Sequence, residues 1–180
     1  AKKGRILISE PSFKDSIFFK SVVLLTHHNN DESIGLILNQ PTKINLNEIL
    51  NNIPLSDFPV YIGGPVAKQS LQFIHTLGNL IPESKQITKN IYFGGNFNTV
   101  LKLMQDKKIT KNEIRFFVGY SGWREDQLNT EIREDSWLVD RSKDDLCMQY
   151  STPKLWNKII RNQKSDYAIW VNMPKDPNLN

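Results

Sequence analysis

Short spacing between candidate strands is the feature that most constrains the fold of this chain. Apolar runs typical of strands occupy residues 18–27 and 33–39, and the turn residues Asn29–Asp31 lie between them, which predicts a hairpin. A parallel pair needs a crossover of a dozen or more residues, and several gaps here are too short for one. The sequence therefore predicts an α/β protein of the α+β type, with a mixed, largely antiparallel sheet and flanking helices.

Local patterns predict the remaining elements. Pro41 cannot donate a ladder hydrogen bond and should end the strand before it. Asn45 or Asn47 can cap a short helix that ends near Leu50, because an asparagine side chain satisfies a free helix amide. We find no repeat or linker and predict one domain over residues 1–180. Further strands are predicted at residues 5–9, 60–62, 71–76, 91–93, 114–119 and 167–171, and a helix at Phe97–Gln105.

Composition narrows the class of protein. With 180 residues and a hydrophobic fraction of 39%, the chain can build one full core. Its longest apolar stretch is far shorter than a bilayer requires, and its start lacks the pattern of a secretory signal. The single cysteine, Cys147, cannot form an internal disulfide, which is typical of a reducing compartment. We therefore expect a cytoplasmic protein that does not enter a membrane.

Charge is mildly positive and unevenly distributed. The net charge is +4, but residues 124–145 are rich in acids, so the positive excess lies elsewhere. A helix is predicted after Thr152, since Pro153 suits the first helical position. Its basic face could contact phosphates, although no helix-turn-helix spacing surrounds it and a solvated helix explains the same pattern. The apolar face of this helix comprises Leu155, Trp156, Ile159 and Ile160, and the basic face Lys154, Lys158 and Arg161.

The densest group of aromatic, glycine and polar residues lies in Arg115–Val139. A strand candidate reaches Gly119, a turn is expected next, and a helix is expected to open near Trp123, before a second apolar segment at Trp137. Ser121 would then sit between strand and helix, the position of a hydrolase nucleophile. However, the nucleophile motif needs glycine where Trp123 stands, and no histidine follows the serine. Ser121 is therefore predicted to be a turn or capping residue, and no catalytic residue is predicted.

Helical spacing would align Trp123, Gln127 and Glu131 in one stripe. The two polar side chains could orient a ligand beside the indole ring, or could make a partly buried contact with a neighbouring loop. We predict no metal and no cofactor. His27 and His28 point to opposite faces of a strand, and the remaining ligand candidates, His75 and Cys147, are isolated in the sequence.

Two diglycine sequences predict sharp turns. Gly63-Gly64 precedes Pro65, and Gly94-Gly95 precedes Asn96 and the helix at Phe97–Gln105. Free amides at a helix start attract anions, so the second turn could hold a phosphate. Neither turn matches a nucleotide-binding motif, and turn geometry alone explains both.

Seven segments occur together in a fixed order: SEPSFKDSIFFKSVVLLTHH, IGLILNQP, YIGGPV, FIHT, YFGG, GYSGWREDQLNTEI and SWL. In this order they resemble the AlgH/YqgE family of bacterial proteins, over a core of about residues 4–174. The resemblance implies a single-domain fold whose sheet curls into a barrel-like body with helices packed outside. Members of that family are often labelled transcriptional regulators, a label that implies regulation without supplying a DNA-binding motif.

The resemblance also suggests site residues. Asp126 departs from the family pattern, which has glycine there, and the departure adds a side chain and a charge at the start of the predicted helix. The polar family residues are expected to line one surface pocket, and we predict a binding site formed by Asn39, Gly63, Gly64, His75, Trp123, Gln127 and Glu131. Family-typical positions are Asn39, Pro41, Gly63–Pro65, His75, Gly119, Gly122, Trp123, Gln127, Leu128, Glu131 and Trp137.

These observations favour a protein that binds a small ligand or a protein partner, acts in regulation and is not an enzyme. Two alternatives stay open. One is direct DNA binding through the basic surface. The other is a hydrolase or phosphate-handling enzyme that uses Ser121.

Overall fold

The computed structural model describes residues 1–11, 16–51, 53, 57–149, 154–163 and 167–171. A 3-10 turn occupies Gly78–Leu80. The strands within these residues are β1 (Arg5–Ser9), β2 (Val22–His28), β3 (Glu32–Ile37), β4 (Pro41–Asn45), β5 (Pro59–Ile62), β6 (Val66–His75), β7 (Lys85–Gln86), β8 (Tyr92–Phe93), β9 (Ile114–Arg124) and β10 (Trp137–Arg141). The helices are α1 (Leu46–Ile49), α2 (Phe97–Gln105), α3 (Gln127–Arg133), α4 (Asp144–Met148), α5 (Lys154–Arg161) and α6 (Ala168–Val171).

These strands form a mixed, largely antiparallel sheet, as the strand spacing predicts. The order is β10-β1-β2-β3-β9-β6-β8-β7, and each neighbouring pair in that order is antiparallel. Strand β4 pairs with β5, and β5 runs parallel to β9. Strand β5 can be parallel to β9 because more than fifty residues of chain separate them, enough for the crossover that a parallel pair needs.

Strand β9 pairs with three strands, β3, β5 and β6, and so connects the two halves of the sheet. Its first half lies between two strands, since Phe116 is opposite Val60 of β5 and Phe73 of β6. Its last residues pair with β3, from Gly35 opposite Ser121 to Glu32 opposite Arg124. The first half is covered on both faces, and apart from the buried Arg115 its residues up to Val118 are apolar.

Helices cover the sheet on both sides. In α5, Trp156 is fully buried and donates its Nε1–H to the carbonyl oxygen of Ser9 at 2.9 Å. Trp156 and Ile160 pack with Leu24 and Leu36 in one core cluster, which confirms the predicted apolar face of this helix. The other face of β2 contributes Val23 and Leu25 to a cluster that contains Trp123 and Trp137. A third cluster packs the buried face of α2 on β5, β6 and β9.

The turn expected after Gly119, and the helix expected near Trp123, are wrong. Strand β9 continues to Arg124, and α3 begins at Gln127. Gly119 does adopt a turn-like φ of +68°, but the strand absorbs it because β3 supplies partners for the next residues. Those partners lie more than eighty residues earlier in the chain, and local sequence patterns cannot reveal them.

Other differences from the predicted elements are smaller. The strand predicted at residues 167–171 is wrong, because the chain there forms α6 beside α5, and tertiary packing overrides strand propensity. Pro41 begins β4 instead of only ending a strand. No sequence pattern predicts helix α4 or strand β7. The predicted helix start at Thr152-Pro153 lies outside the described residues.

Gly63 and Gly64 lie directly against the backbone of β9. A Cβ atom on Gly63 would be 2.3 Å from the carbonyl oxygen of Gly119, and one on Gly64 would be 2.2 Å from the carbonyl carbon of Tyr120. Gly63 also donates its N–H to Val118 at 2.8 Å and accepts from Ile37 at 2.9 Å. These contacts explain the two glycines by close packing of strands, and a ligand-binding role for them stays a prediction.

Replacing Gly63→Ala should therefore lower the free energy of unfolding by about 1–3 kcal/mol, because the added methyl group has no space. Urea denaturation measures the change. Gly122→Ala is the matched control in the same sheet, since its Cβ would meet nothing closer than 3.4 Å. The control should keep or slightly raise stability. Equal losses in the two variants would contradict the close-packing explanation.

Candidate functional site

The carboxylate of Glu131 holds two tryptophans and a glutamine together. Its Oε2 accepts from Nε1 of Trp123 and from Nε1 of Trp137, both at 2.8 Å. Its Oε1 accepts from Nε2 of Gln127 at 2.9 Å, and Oε1 of Gln127 accepts from the backbone N–H of Arg124 at 3.1 Å. Hydrogen bonds to a charged acceptor are stronger than neutral ones. The network fixes α3 against the ends of β9 and β10.

The two tryptophans form a platform for Phe18. The Phe18 ring stacks on Trp123 with a centroid distance of 6.2 Å and meets Trp137 edge-on at 5.4 Å. The indole rings meet each other edge-on at 5.8 Å. Because these rings pack on one another, the indole of Trp123 is 4% exposed and offers little free surface to a ligand.

Asn39 is buried and binds the chain that precedes β2. Its Oδ1 accepts from the N–H of Val22 and its Nδ2 donates to the carbonyl oxygen of Lys20, both at 2.9 Å. The neighbouring Gln40 donates its Nε2–H to the hydroxyl of Ser21 at 3.0 Å. Asn39 therefore anchors the segment that carries Phe18.

His75 is fully buried and has both ring nitrogens bonded. Nδ1 accepts from the N–H of Leu77 at 3.2 Å, so Nε2 carries the proton and donates to the carbonyl oxygen of Gly94 at 3.0 Å. Burial lowers the pKa of His75 from its ordinary value of 6.5, while the bond to Gly94 acts in the opposite direction. The ring also stacks on Tyr92 at 5.7 Å. His75 thus closes the Gly94-Gly95 turn as a neutral side chain.

The structure brings together only some of the predicted site residues. Trp123, Gln127 and Glu131 meet, although the first lies on a strand and not on the helix. Asn39 and His75 are 1% and 0% exposed, so the expectation that they line one surface pocket with Gln127 and Glu131 is wrong. Buried polar groups are kept where hydrogen bonds satisfy them, and sequence patterns alone do not separate such groups from exposed ones.

Ser121 is neither a turn residue nor a helix cap. It lies within β9, is fully buried, and donates its hydroxyl to the carbonyl oxygen of Gly63 at 3.1 Å. His75 uses both nitrogens elsewhere. The two side chains therefore do not form a nucleophile–base pair in the part of the chain that the structure describes.

An open groove of about 420 Å³ lies on the outer side of the same strand segment. Side chains alternate along a strand, so Tyr120, Gly122 and Arg124 face outward while Ser121 and Trp123 face the core. Gly122 is opposite Ile34 of β3. The groove is lined by Asp31, Glu32, Ser33, Ile34, Val66, Tyr120, Gly122, Trp123, Arg124 and Gln127.

Gly122 keeps this groove open. A Cβ atom there would lie 3.4 Å from Cε2 of Tyr120 and 3.7 Å from Cγ2 of Val66, so it would enter the space between their side chains. The lining is mixed: Tyr120, Val66 and Ile34 contribute apolar surface, but polar atoms make up the larger share of it. The rim is charged, with Glu32 opposite Arg124 across the strands. A concave site in which a few apolar side chains lie beside converging polar groups can hold a ligand.

Sequence patterns point to Gly122, Trp123 and Gln127 but not to the rest of the groove. Extending the predicted strand past Gly119 would have placed Tyr120, Gly122 and Arg124 on one face by their alternation. Ile34 and Val66 come from other strands, and only the sheet register shows that they are near.

The described residues contain no group of three or more His, Cys, Asp or Glu side chains that could hold a metal ion. Among the same residues, no helix is both long and apolar enough to span a bilayer. Burial raises the pKa of the Cys147 thiol to about 12, which keeps it protonated and unreactive.

The fold is one mixed α+β domain whose curled, largely antiparallel sheet forms a half-barrel with few helices, as in two solved structures. One is the solution structure of the AlgH protein from Pseudomonas aeruginosa, with a TM-score of 0.76, 20% identity, and coverage of 96% of this chain and 94% of that one. The other is a crystal structure of a Corynebacterium diphtheriae protein, with a TM-score of 0.76, 17% identity, and coverage of 96% and 93%.

The chain belongs to the AlgH-like family, whose model matches residues 6–168. A UPF0301 protein of Bacteroides thetaiotaomicron is 38% identical over 180 residues, covering 99% of this chain and 91% of the relative. One from Cytophaga hutchinsonii is 37% identical, covering 99% and 98%. The predicted family and fold are confirmed. None of these names states an activity.

Glu131→Ala should lower the free energy of unfolding by about 3 kcal/mol, because two indole N–H groups and an amide lose a charged acceptor. Urea denaturation measures the loss, and a red shift of tryptophan emission should accompany it. Glu134→Ala removes an exposed acid from the end of α3 and should change stability by less than about 0.5 kcal/mol. A similar effect of both variants would show that Glu131 holds nothing in place.

Protonation of His75 should lower the free energy of unfolding as the pH falls. Its pKa is lower in the folded chain than in the unfolded chain, so its stabilisation is complete above about pH 6.5 and is lost as the pH falls toward the folded-state pKa. His75→Gln should be less stable overall, yet its free energy of unfolding should change less between about pH 7 and pH 5. His28, whose pKa burial also lowers, is present in both proteins. Identical pH profiles would contradict the assignment.

Proposed function

We propose that the protein is a non-catalytic binding protein that receives a small ligand or a segment of a partner protein in the Gly122 groove. The observation that carries the proposal is Gly122 itself. Its φ is not positive, and an added Cβ would make only ordinary contacts. A glycine inside a strand costs roughly 0.5–1 kcal/mol relative to alanine. The fold does not require this glycine, whereas an open groove does.

Other glycines of the sheet support this contrast. An added Cβ would lie 2.6 Å from Cγ1 of Val23 at Gly35 and 2.3 Å from a backbone oxygen at Gly63. At Gly119 the φ of +68° and a distance of 2.6 Å to the Gly64 oxygen both exclude a side chain. Packing explains each of these positions, and it leaves Gly122 unexplained.

The lining indicates the chemistry of the ligand. Tyr120, Val66 and Ile34 offer an apolar surface for a flat or aliphatic group. Arg124 can bind an anionic group at one side of the rim, and Glu32 can bind a cationic or hydroxyl group beside it. A ligand with an apolar body and polar ends fits this arrangement better than a strongly anionic one, because Asp31 also lies at the rim.

Binding here would serve regulation. The groove adjoins Gln127, which links Arg124 to Glu131, so a ligand would stabilise the corner formed by β3, β9 and α3. We place this activity in the cytoplasm, because a lone cysteine is typical of a reducing compartment. The hydrolase alternative finds less support, since Ser121 faces the core and not the groove.

A thermal-shift screen of nucleotides, amino acids and other common metabolites tests the proposal. A compound that binds the native state raises the melting temperature by mass action, with about 2.7 kcal/mol of stabilisation at a concentration of 100 Kd. Gly122→Val fills the groove and should abolish the shift of any compound found. Gly122→Ala, the smaller matched change, should retain part of it.

Circular dichroism of the unliganded variants checks that both are folded. A compound that stabilises wild type and Gly122→Val equally would overturn the groove assignment. A screen in which wild type responds to no compound, followed by a pull-down in which Gly122→Val captures the same partners as wild type, would overturn the proposed function.

A further inference from the structure

The solvent face of α5 carries a cluster of cations, and none of them has an acidic partner in the part of the chain that the structure describes. Lys154, Lys158 and Arg161 are exposed, and at 100° per residue they fall within a sector of about 60°. No Asp or Glu occurs in this helix. None of the three cations forms an ion pair with any residue the structure describes, whereas the surface residues Lys108 and Lys111 are paired with nearby aspartates.

Helix stability explains only part of this cluster. Lys158 and Arg161 lie in the last turn, where cations favour the negative end of the helix dipole. Lys154 is the first helical residue, where the dipole is positive and a cation is unfavourable. The first turn also contains no acid that would offset it. An external anion would stabilise all three side chains together.

A groove beside these cations is lined, among the described residues, by lysine, arginine and asparagine side chains, whose aliphatic parts supply about half of its surface. Its volume is about 470 Å³, and the remaining lining residues are Asn157 and Asn162. None of the described residues that line it carries an aromatic ring on which a base could stack, which disfavours single-stranded nucleic acid. The helix cannot insert its apolar face into a membrane either, because Trp156 and Ile160 are buried in the core and Trp156 is bonded to Ser9.

We infer that this face of α5 binds the phosphate backbone of double-stranded nucleic acid. Four residues advance about 6 Å along a helix and seven about 10.5 Å, and a duplex presents one charge per about 1.7 Å of its axis. Three cations so spaced can each meet a phosphate. Backbone contacts carry no sequence information, so the interaction is independent of sequence. It is also separate from ligand binding at Gly122.

Fluorescence anisotropy with labelled duplex DNA of two unrelated sequences tests the inference at several salt concentrations. Three phosphate contacts predict a slope of log K against log salt of about −2.7, which is about a 40-fold loss of affinity between 50 and 200 mM salt. Lys154→Gln or Lys158→Gln should each make the slope shallower by about 0.9. Both sequences should bind equally.

Lys108→Gln is the matched control, because it removes the same charge from a paired surface lysine; it should leave the slope unchanged. Gly122→Val should bind DNA like wild type, which separates this inference from the proposed function. No duplex binding at low salt, equal effects of Lys108→Gln and Lys158→Gln, or tighter binding of single-stranded DNA would each overturn it. So would binding to vesicles of anionic phospholipid without binding to duplex DNA.

Discussion

The pairing of residues 121–124 with β3 is the interaction on which the rest of this structure depends. It extends β9 past Gly119 and thereby creates a segment with two useful faces. Toward the core, Trp123 reaches Glu131 and fixes α3, and Ser121 bonds to the Gly63 carbonyl. Toward solvent, Gly122 and Arg124 form part of the groove. A helix beginning near Trp123 would have destroyed both arrangements, because its residues would not alternate between core and solvent.

The same pairing explains why the groove lies where it does. Leu24 and Leu36 belong to the sheet face that α5 covers with Trp156. Ile34 lies two residues before Leu36 on β3 and so shares this face, but it is only partly buried, and its neighbour Gly122 is exposed. The layer of helices ends there, and because Gly122 has no side chain, the uncovered end of the sheet forms a notch. The proposed site is thus a property of how far the helical layer extends, combined with one residue choice.

Sequence patterns predicted what depends on local spacing and missed what depends on distant partners. Close strand spacing gave the largely antiparallel sheet, and helical periodicity gave α2 and the apolar face of α5. Gly119 normally signals a turn, and only β3 shows that the strand continues. Trp123, Gln127 and Glu131 do meet as predicted, but through a hydrogen bond between strand and helix and not through a helical stripe. Asn39 and His75 are polar family-typical positions and so look like site residues in the sequence. In the structure their side chains form hydrogen bonds to backbone groups inside the fold and hold neighbouring segments together.

The two proposed surfaces differ in charge, and this difference should keep their partners apart. The groove brings the acids Asp31 and Glu32 beside Arg124, so a polymer of phosphates would meet repulsion there as well as attraction. The α5 face has three cations and no acid of its own helix, so it attracts a polyanion without repelling it. Repulsion of the wrong partner can contribute to specificity along with attraction of the right one. A ligand in the groove and a duplex on α5 would therefore not compete for the same surface.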